Sequence, residues 1–315
     1  MIRHPKPSLV LSKCLELDAC RYNGVSIQSG VVRALLPHID VRPVCPEVEI
    51  GLGTPRDPIN LIGPKERPRL VQPSTGRDLT KEMVTFAKGY LGDAGDIDGF
   101  ILKSRSPSCG IKDTKIHATA TDAEPLGTGA GLFGAAVKER YPHAAIEDEG
   151  QLNDFRLRHH FLTKLFLRAR FREMRRRRTM AALVGFHATN KFVLLAYHQA
   201  GSQELGRIVA NAEKDPVNRV LGHYANHLTK ALERPARAPA TVNVLMHILG
   251  MFSERLTATE RADFLAALAE YRQGKVPLDV PLQSVHQWAR RFDDTYVAKQ
   301  TFLEPYPREL TSLNQ

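Results

Sequence analysis

The chain has 315 residues, too many for one ordinary core and about right for two domains. With 43% hydrophobic and 25% charged residues, collagen-like, low-complexity and wholly disordered chains are excluded. The formal charge of +10 is unevenly spread: residues 1–150 set 19 basic against 19 acidic side chains, and the rest hold 25 against 15. A neutral catalytic domain over 1–150, joined to a domain over 151–315 that meets a polyanion, accounts for that asymmetry. Four cysteines are too few for a secreted disulfide scaffold. No run approaches the roughly 18 apolar residues of a membrane span. A cytoplasmic protein without a membrane partner is expected.

In chain order, Ser8–Ser12 reads as a strand that stops short of Cys14, and Gln28–Leu36 has a helical period. Val41–Val44 is a second strand, ending at Cys45, followed by a stretch rich in Pro, Gly and Arg from Gly51 to Gly76. A helix capped by Thr80 runs to Leu91, and Gly99–Lys103 is a third strand leading into Ser106-Pro-Ser-Cys-Gly110. Gly127–Gly131 is a turn opening a helix to Arg140, and Ala144–Ile146 a last short strand. Strands alternating with helices predict a parallel, Rossmann-like sheet in an α/β N-terminal domain. The Gly127 turn lacks the full dinucleotide spacing and no phosphate-loop motif occurs, so neither a nicotinamide nor a nucleotide triphosphate is expected.

Cys14, Cys45 and Cys109 each fall just beyond the C-terminal end of a predicted strand, the edge of a parallel sheet where ligands bind. Three thiols then converge on one crevice, and two cofactors suit them. Zinc would need a fourth ligand, from Cys20 or His117. An iron–sulfur cube on three cysteines instead leaves one iron open as a Lewis acid, and soft iron favours sulfur as the atom it receives. Cys20, before the Asn23-Gly24 turn, is read as a bystander.

Ser12-Lys-Cys14 running to Cys20-Arg-Tyr-Asn-Gly24, then Cys45-Pro-Glu47 with Gly51-Leu-Gly and Pro55-Arg56, then Leu102-Lys103 with Ser106-Pro-Ser-Cys-Gly110, resemble the thiouracil desulfidase family over the first 150 residues. Glu16 departs from the family's first motif. The resemblance implies a [4Fe-4S] cluster held by Cys14, Cys45 and Cys109, and hydrolytic, non-redox removal of a thiocarbonyl sulfur from a pyrimidine. A water attacks the ring carbon, and Glu47, beside Cys45, is placed to act as general base. Ser106 is the candidate for hydrogen bonding to substrate or water, with Ser108 as its competitor. Lys103 and Arg56 are candidates to hold an oxygen or phosphate.

Polar residues 148–153 mark the domain boundary. Beyond it, periods of three to four predict an all-α bundle with helices at Leu157–Met174, Met180–His198, Pro216–Leu232, Thr241–Leu256, Thr259–Tyr271 and Leu282–Val297. Between Arg156 and Arg178 there are nine Arg and one Lys against Glu173 alone. Arg156, Lys164, Arg168, Arg172 and Arg175 would share a wet face, and Arg168, Arg172, Arg175, Arg176, Arg177 and Arg178 are the expected contacts to an RNA backbone, with His159 and His160 beside them. Leu157-Arg-His-His160, Phe186-His-Ala-Thr-Asn-Lys191 and Phe302-Leu-Glu-Pro-Tyr-Pro307 resemble the helical domain fused behind thiouracil desulfidase-like modules, a pairing similar to bacterial tRNA 4-thiouridine desulfidases. The implied substrate and partner is tRNA carrying 4-thiouridine. Free thiouracil or a thionucleoside is the alternative substrate, and a non-catalytic RNA-binding protein with a structural zinc is the alternative class.

Overall fold

In the computed structural model, which describes residues 2–120, 122 and 124–314, nine strands all lie in the first half of the chain. They are β1 (Ser8–Ser12), β2 (Asp40–Val44), β3 (Asn60–Ile62), β4 (Arg69–Gln72), β5 (Arg77–Asp78), β6 (Gly99–Leu102), β7 (Thr114–His117), β8 (Pro125–Gly129) and β9 (Ala145–Asp148). The helices here are α1 (Gly30–Leu35), α2 (Pro46–Glu49), α3 (Thr80–Asp93) and α4 (Leu132–Arg140). After α5 (Phe155–Arg175) come α6 (Met180–Tyr197), α7 (Gln199–Ala210), α8 (Val217–Ala231), α9 (Ala238–Phe252), α10 (Ala258–Arg272), α11 (Asp279–Arg291) and α12 (Thr295–Ala298). The α/β half followed by an all-α half is the expected fold class. No helix among the described residues is long and apolar enough to cross a membrane.

The four strands read as extended form one wholly parallel sheet in the order β2-β1-β6-β9. β1 is fully buried along its length, so its run of Leu9-Val-Leu11 has no polar alternation, as strands covered on both faces require. From β1 the chain turns to one side for β2 and later returns on the other for β6, so strand order reverses between β1 and β6 and a crevice opens outside their C-terminal ends. Gly99 lets a layer approach β6 closely: a Cβ there would stand 2.6 Å from Leu165 Cδ1 and 2.9 Å from the Ala145 carbonyl oxygen.

The stretch rich in Pro, Gly and Arg supplies β3 and β4 to a second, mixed sheet of order β5-β4-β3-β7-β8. Its strands have two to five residues, and β3 pairs in parallel with β7, far along the sequence. Gly127 and its neighbours belong to edge strand β8, and only Gly131 stands at the start of α4. Thr80 is the first residue of α3 and its cap is upstream, where Asp78 accepts the Thr80 N–H at 3.0 Å.

By contacts the described chain divides inside α5, into residues 6–169 with 309–314, and residues 170–308 with 2–5. The polar segment 148–153 holds the end of β9 and a short 3-10 turn, Gln151–Asn153. In the helical unit two helices were not shown by periodicity: α7, which carries Gly201 and Gly206 and buries only Ser202 and Leu205, and α12, which is separate from α11 where one helix to Val297 was expected. Its order rests on a buried polar seam as much as on apolar packing. Thr301 Oγ1 donates to Asn190 Oδ1 at 2.6 Å, and Gln300 gives its Nε2–H to the Ala188 carbonyl at 2.8 Å while its Oε1 accepts the Phe192 N–H at 3.3 Å. The Phe186–Lys191 segment and the stretch leading into Phe302–Pro307 are therefore two sides of one structural seam, every member satisfied.

Candidate active site

Strand ends deliver the cysteines. Cys14 lies in a turn past β1 closed by the Leu15 N–H on the Ser12 carbonyl at 2.9 Å, and its own carbonyl accepts the Ile27 N–H at 2.7 Å. Glu16 stands in the left-handed region at φ 66, with its carboxylate on the Ser29 N–H and on Arg33, so the departure from the family motif is a brace for this loop. Cys45 is the N-cap of α2, followed by Pro46 in the first turn, where its fixed φ suits a helix start. Cys109 follows β6 in a turn in which the Gly110 N–H donates to the Ser106 carbonyl at 2.8 Å. Together with Cys20 the three line one cavity of about 450 Å³, within the range of small-molecule sites.

All four thiols are free and buried. Burial, reinforced by neighbouring Cys45, pushes Cys14 up to about 12 and Cys20 up to about 12, and burial carries Cys109 well above the usual thiol range. Desolvated thiols of this kind become ligands only when a cation replaces their protons. No three His, Cys, Asp or Glu side chains among the described residues are gathered tightly enough for one metal ion. His117, the proposed fourth zinc ligand, stands on β7 and does not line the cavity. A single ion draws sulfurs in to about 2.3 Å around one centre, whereas a cube takes each sulfur on a different iron. Three buried thiols from three strand ends, with the cationic Arg21, Arg56, Lys103 and Arg105 on the same walls, fit an anionic cluster better than a closed zinc site.

Glu47 is the carboxylate on the cavity wall. Its Oε2 accepts from Arg56 Nε at 2.9 Å and Nη2 at 2.6 Å, and its Oε1 accepts the Ser108 hydroxyl at 2.8 Å. The same guanidinium gives Nη1 to the carbonyls of Cys20 at 3.1 Å and Gly53 at 3.0 Å. Arg56 is thus spent on orienting Glu47 and the Cys20 loop, and is not free to hold a substrate oxygen or phosphate. Lys103 is engaged likewise, since its three donors find Glu149 Oε1 at 2.5 Å, Ser104 Oγ at 2.8 Å and the Ser104 carbonyl at 2.9 Å. Of the two serines, Ser106 lines the cavity, but its oxygen accepts the Ser108 N–H at 3.2 Å and the Cys109 N–H at 3.0 Å. Ser108, fully buried, is the one that touches Glu47. Sequence reasoning set Ser108 second, and nothing in its spacing from Glu47, 61 positions away, marks the pair.

The Cys109 turn is held from behind by α4. The Gly131 N–H donates to the Gly110 carbonyl at 2.8 Å, Leu132 to Pro107 at 3.1 Å and Gly134 to Ser108 at 3.0 Å. A Cβ at Gly134 would stand 2.3 Å from the Gly110 carbonyl oxygen and 2.8 Å from that of Cys109. Because only backbone is in the way, Gly134→Ala should destabilise the fold by about 1–3 kcal/mol, read as a lower denaturation midpoint; an unchanged midpoint would show that this contact is loose.

A model of the 2-thiouracil desulfurase family matches residues 9–149, and one of a family of unknown function, DUF1722, matches residues 191–307. An uncharacterised Bacillus subtilis (strain 168) protein, YbbK, is 31% identical over 153 residues, 46% of this chain and 98% of its own length. The chain belongs to the 2-thiouracil desulfurase family. Its helical half belongs with DUF1722, as does the match to an uncharacterised Escherichia coli (strain K12) protein, YbgA, which is 30% identical over 131 residues, 41% of this chain and 78% of its own length. Among solved structures, a [4Fe-4S]-dependent thiouracil desulfidase, TudS, is similar at 31% identity over 47% of this chain and 93% of its own, with a TM-score of 0.38.

The desulfurase-family segment ends at Glu149 and the DUF1722 segment begins at Lys191, so the arginine-rich helix lies between the two. There the expected wet face is corrected. Phe161, Leu162, Thr163, Leu165, Phe166, Leu167, Ala169, Phe171 and Met174 are all buried, which covers every direction around α5 rather than one stripe. Arg158 is buried on the carbonyls of Leu152 at 2.7 Å and Asn153 at 3.1 Å, and the half-buried Arg170 donates to the Pro305 carbonyl at 2.9 Å. Arg168 has Nε and Nη1 shut off from solvent, and Arg172 is half-buried. Burial holds His159 and His160 down at about 4, neutral near pH 7. Arg156 and the run Arg175–Arg178 remain exposed.

Proposed function

We propose that this protein is a [4Fe-4S]-dependent desulfidase that hydrolyses the thiocarbonyl of 4-thiouridine in tRNA, giving uridine and hydrogen sulfide. The observation that carries the reading is the convergence of Cys14, Cys45 and Cys109 from three strand ends on one cavity that also exposes Glu47. Bound there by three thiolates, a [4Fe-4S] cluster supplies one iron without a protein ligand as a soft Lewis acid for the thiocarbonyl sulfur. Glu47, fixed on one side by Arg56 and on the other by Ser108, is oriented to take a proton from water attacking the ring carbon. The water's oxygen becomes the new carbonyl and its two protons leave with the sulfur, so no external electrons are needed. Arg56 and Lys103 act by keeping the acceptors around them in place.

The base must leave its stack to reach the cavity. Arg175–Arg178 supply exposed charge for the RNA backbone, a role that depends on salt and not on sequence. Replacing all four by Ala is expected to weaken tRNA binding and to flatten the dependence of log affinity on log salt by up to about 3, at roughly 0.7–0.9 per lost phosphate contact. Filter binding across a salt series measures this, and an unaltered slope removes these arginines from the interface. Anaerobically reconstituted protein given thiolated tRNA and free thiobases tests the substrate: uridine formed in tRNA supports the reading, and turnover of free base alone overturns its RNA part in favour of free thiouracil.

A further inference from the structure

Of the described residues that line the cavity, Tyr22 alone carries an aromatic ring, and it stands 42% exposed. An aromatic face left to water beside a small-molecule cavity is surface that a ligand can cover at a gain. The backbone beneath it is fixed. The Gly24 N–H donates to the Arg21 carbonyl at 2.9 Å, closing a turn in which Gly24 takes φ 72 without a Cβ penalty, and the Tyr22 carbonyl accepts the Arg56 N–H at 2.8 Å. Arg56 is the residue whose guanidinium holds Glu47 and the Cys20 carbonyl. The ring and the proposed general base are therefore fastened to one residue. The Arg21 guanidinium carbon stands 5.3 Å from the Tyr22 ring centroid, a cation over one face, which leaves the second face for another flat group. Nothing in the hydrolysis above uses the ring.

We propose that Tyr22 is the stacking surface for the thiolated pyrimidine: the base lies on the face of the phenol ring that Arg21 leaves open, so that its plane is set relative to Glu47. Every pyrimidine has a π-face whatever it is attached to, so this contact holds free base, nucleoside and flipped nucleotide alike. Water must reach a trigonal ring carbon from above or below the ring plane, and a base with one face on Tyr22 presents the other. The contact is made with the substrate and kept through the reaction, so its loss belongs in KM, with kcat little moved. The proposal deepens the desulfidase reading of this cavity and rests on it.

Tyr22→Phe, which keeps the ring, and Tyr22→Leu, which keeps apolar bulk without a π-face, are compared with wild type after anaerobic reconstitution. The readouts are iron per chain, kcat and KM on whichever of thiolated tRNA and free thiobase is turned over, and the dissociation constant of uridine, the product, by ligand-observed NMR. Tyr22→Leu is expected to keep its iron and to raise both KM and the uridine dissociation constant by about 5- to 140-fold, the equivalent of ~1–3 kcal/mol per stacked base. Tyr22→Phe is expected to stay within about twofold of wild type. Unmoved KM and uridine binding in Tyr22→Leu overturn the proposal, and so does equal weakening in Tyr22→Phe, which assigns the effect to the hydroxyl. Loss of iron from Tyr22→Leu also overturns it, because the ring is then part of the framework of its loop. A wild-type chain that takes up no cluster, or turns over no thiocarbonyl, overturns the proposed function instead, while the uridine measurement still decides the stacking role.

Discussion

Replacing Cys14, Cys45 or Cys109 by Ala is expected to leave the chain without iron, acid-labile sulfide, visible absorbance or turnover, whereas Cys20→Ala keeps all four. The difference is geometric in origin. The first three thiols sit one to seven residues past the ends of β1, β2 and β6, on turns fastened to the sheet by backbone hydrogen bonds. Cys20 reaches the same cavity from a loop whose carbonyl is held by Arg56, and it lies against Cys45, whose thiol donates to the Cys20 carbonyl at 3.8 Å. A cube needs three thiolates to keep one iron open, and a fourth would close it. Elemental analysis of the four variants settles the matter. Retention of iron by any of the first three, or its loss from Cys20→Ala, refutes the ligand assignment, and zinc in place of iron refutes the cluster itself.

Glu47→Gln is expected to lower kcat by about 10²–10⁴-fold, the usual contribution of a positioned general base, with iron content unchanged. Glutamine preserves the shape of the side chain and still offers an oxygen to Arg56 or Ser108, so the experiment isolates the loss of proton-accepting power. Glu47→Ala is the less informative change. Arg56 is only 6% exposed in its side chain, and stripping away its carboxylate partner leaves a buried charge uncompensated, at about 3–5 kcal/mol. A variant that is inactive because its site has come apart would then pass for one that lacks a base. Single-turnover rates on loaded Glu47→Gln protein decide between them: full activity would move the base elsewhere, and Ser108→Ala would then show whether the hydroxyl pairing matters by itself.

The convergence of the thiols was legible in the sequence because it follows from periodicity alone. An apolar run with a cysteine one to seven residues past its end, three times over, puts three thiols on one edge once the strands are parallel. The second sheet was not legible, since β5 has two residues and β3 only three, too few to show alternation, and their pairing depends on partners brought close by the rest of the chain. Ser108 against Glu47 was hidden for the same reason: the pair joins separate loops, and the local motif offers only a serine near a proline. The arginine run misled in the opposite direction. Its composition reads as a solvated or RNA-facing surface, yet Arg158 is a buried and Arg170 a half-buried donor to backbone carbonyls, and many of the apolar side chains of α5 are buried.

Sequence by itself determined the four strands of the parallel sheet, the placement of the cysteines beyond strand ends and the family to which the first half belongs, because these depend on local pattern and on motif. Tertiary structure decided which charged groups are already satisfied. Arg56 and Lys103 spend their donors on Glu47, Glu149 and nearby backbone, which leaves Glu47 oriented and the exposed cations at Arg156 and Arg175–Arg178. A hydrogen bond between residues tens of positions apart has no periodicity to betray it, and a buried polar group finds its partner only when the chain has closed around it.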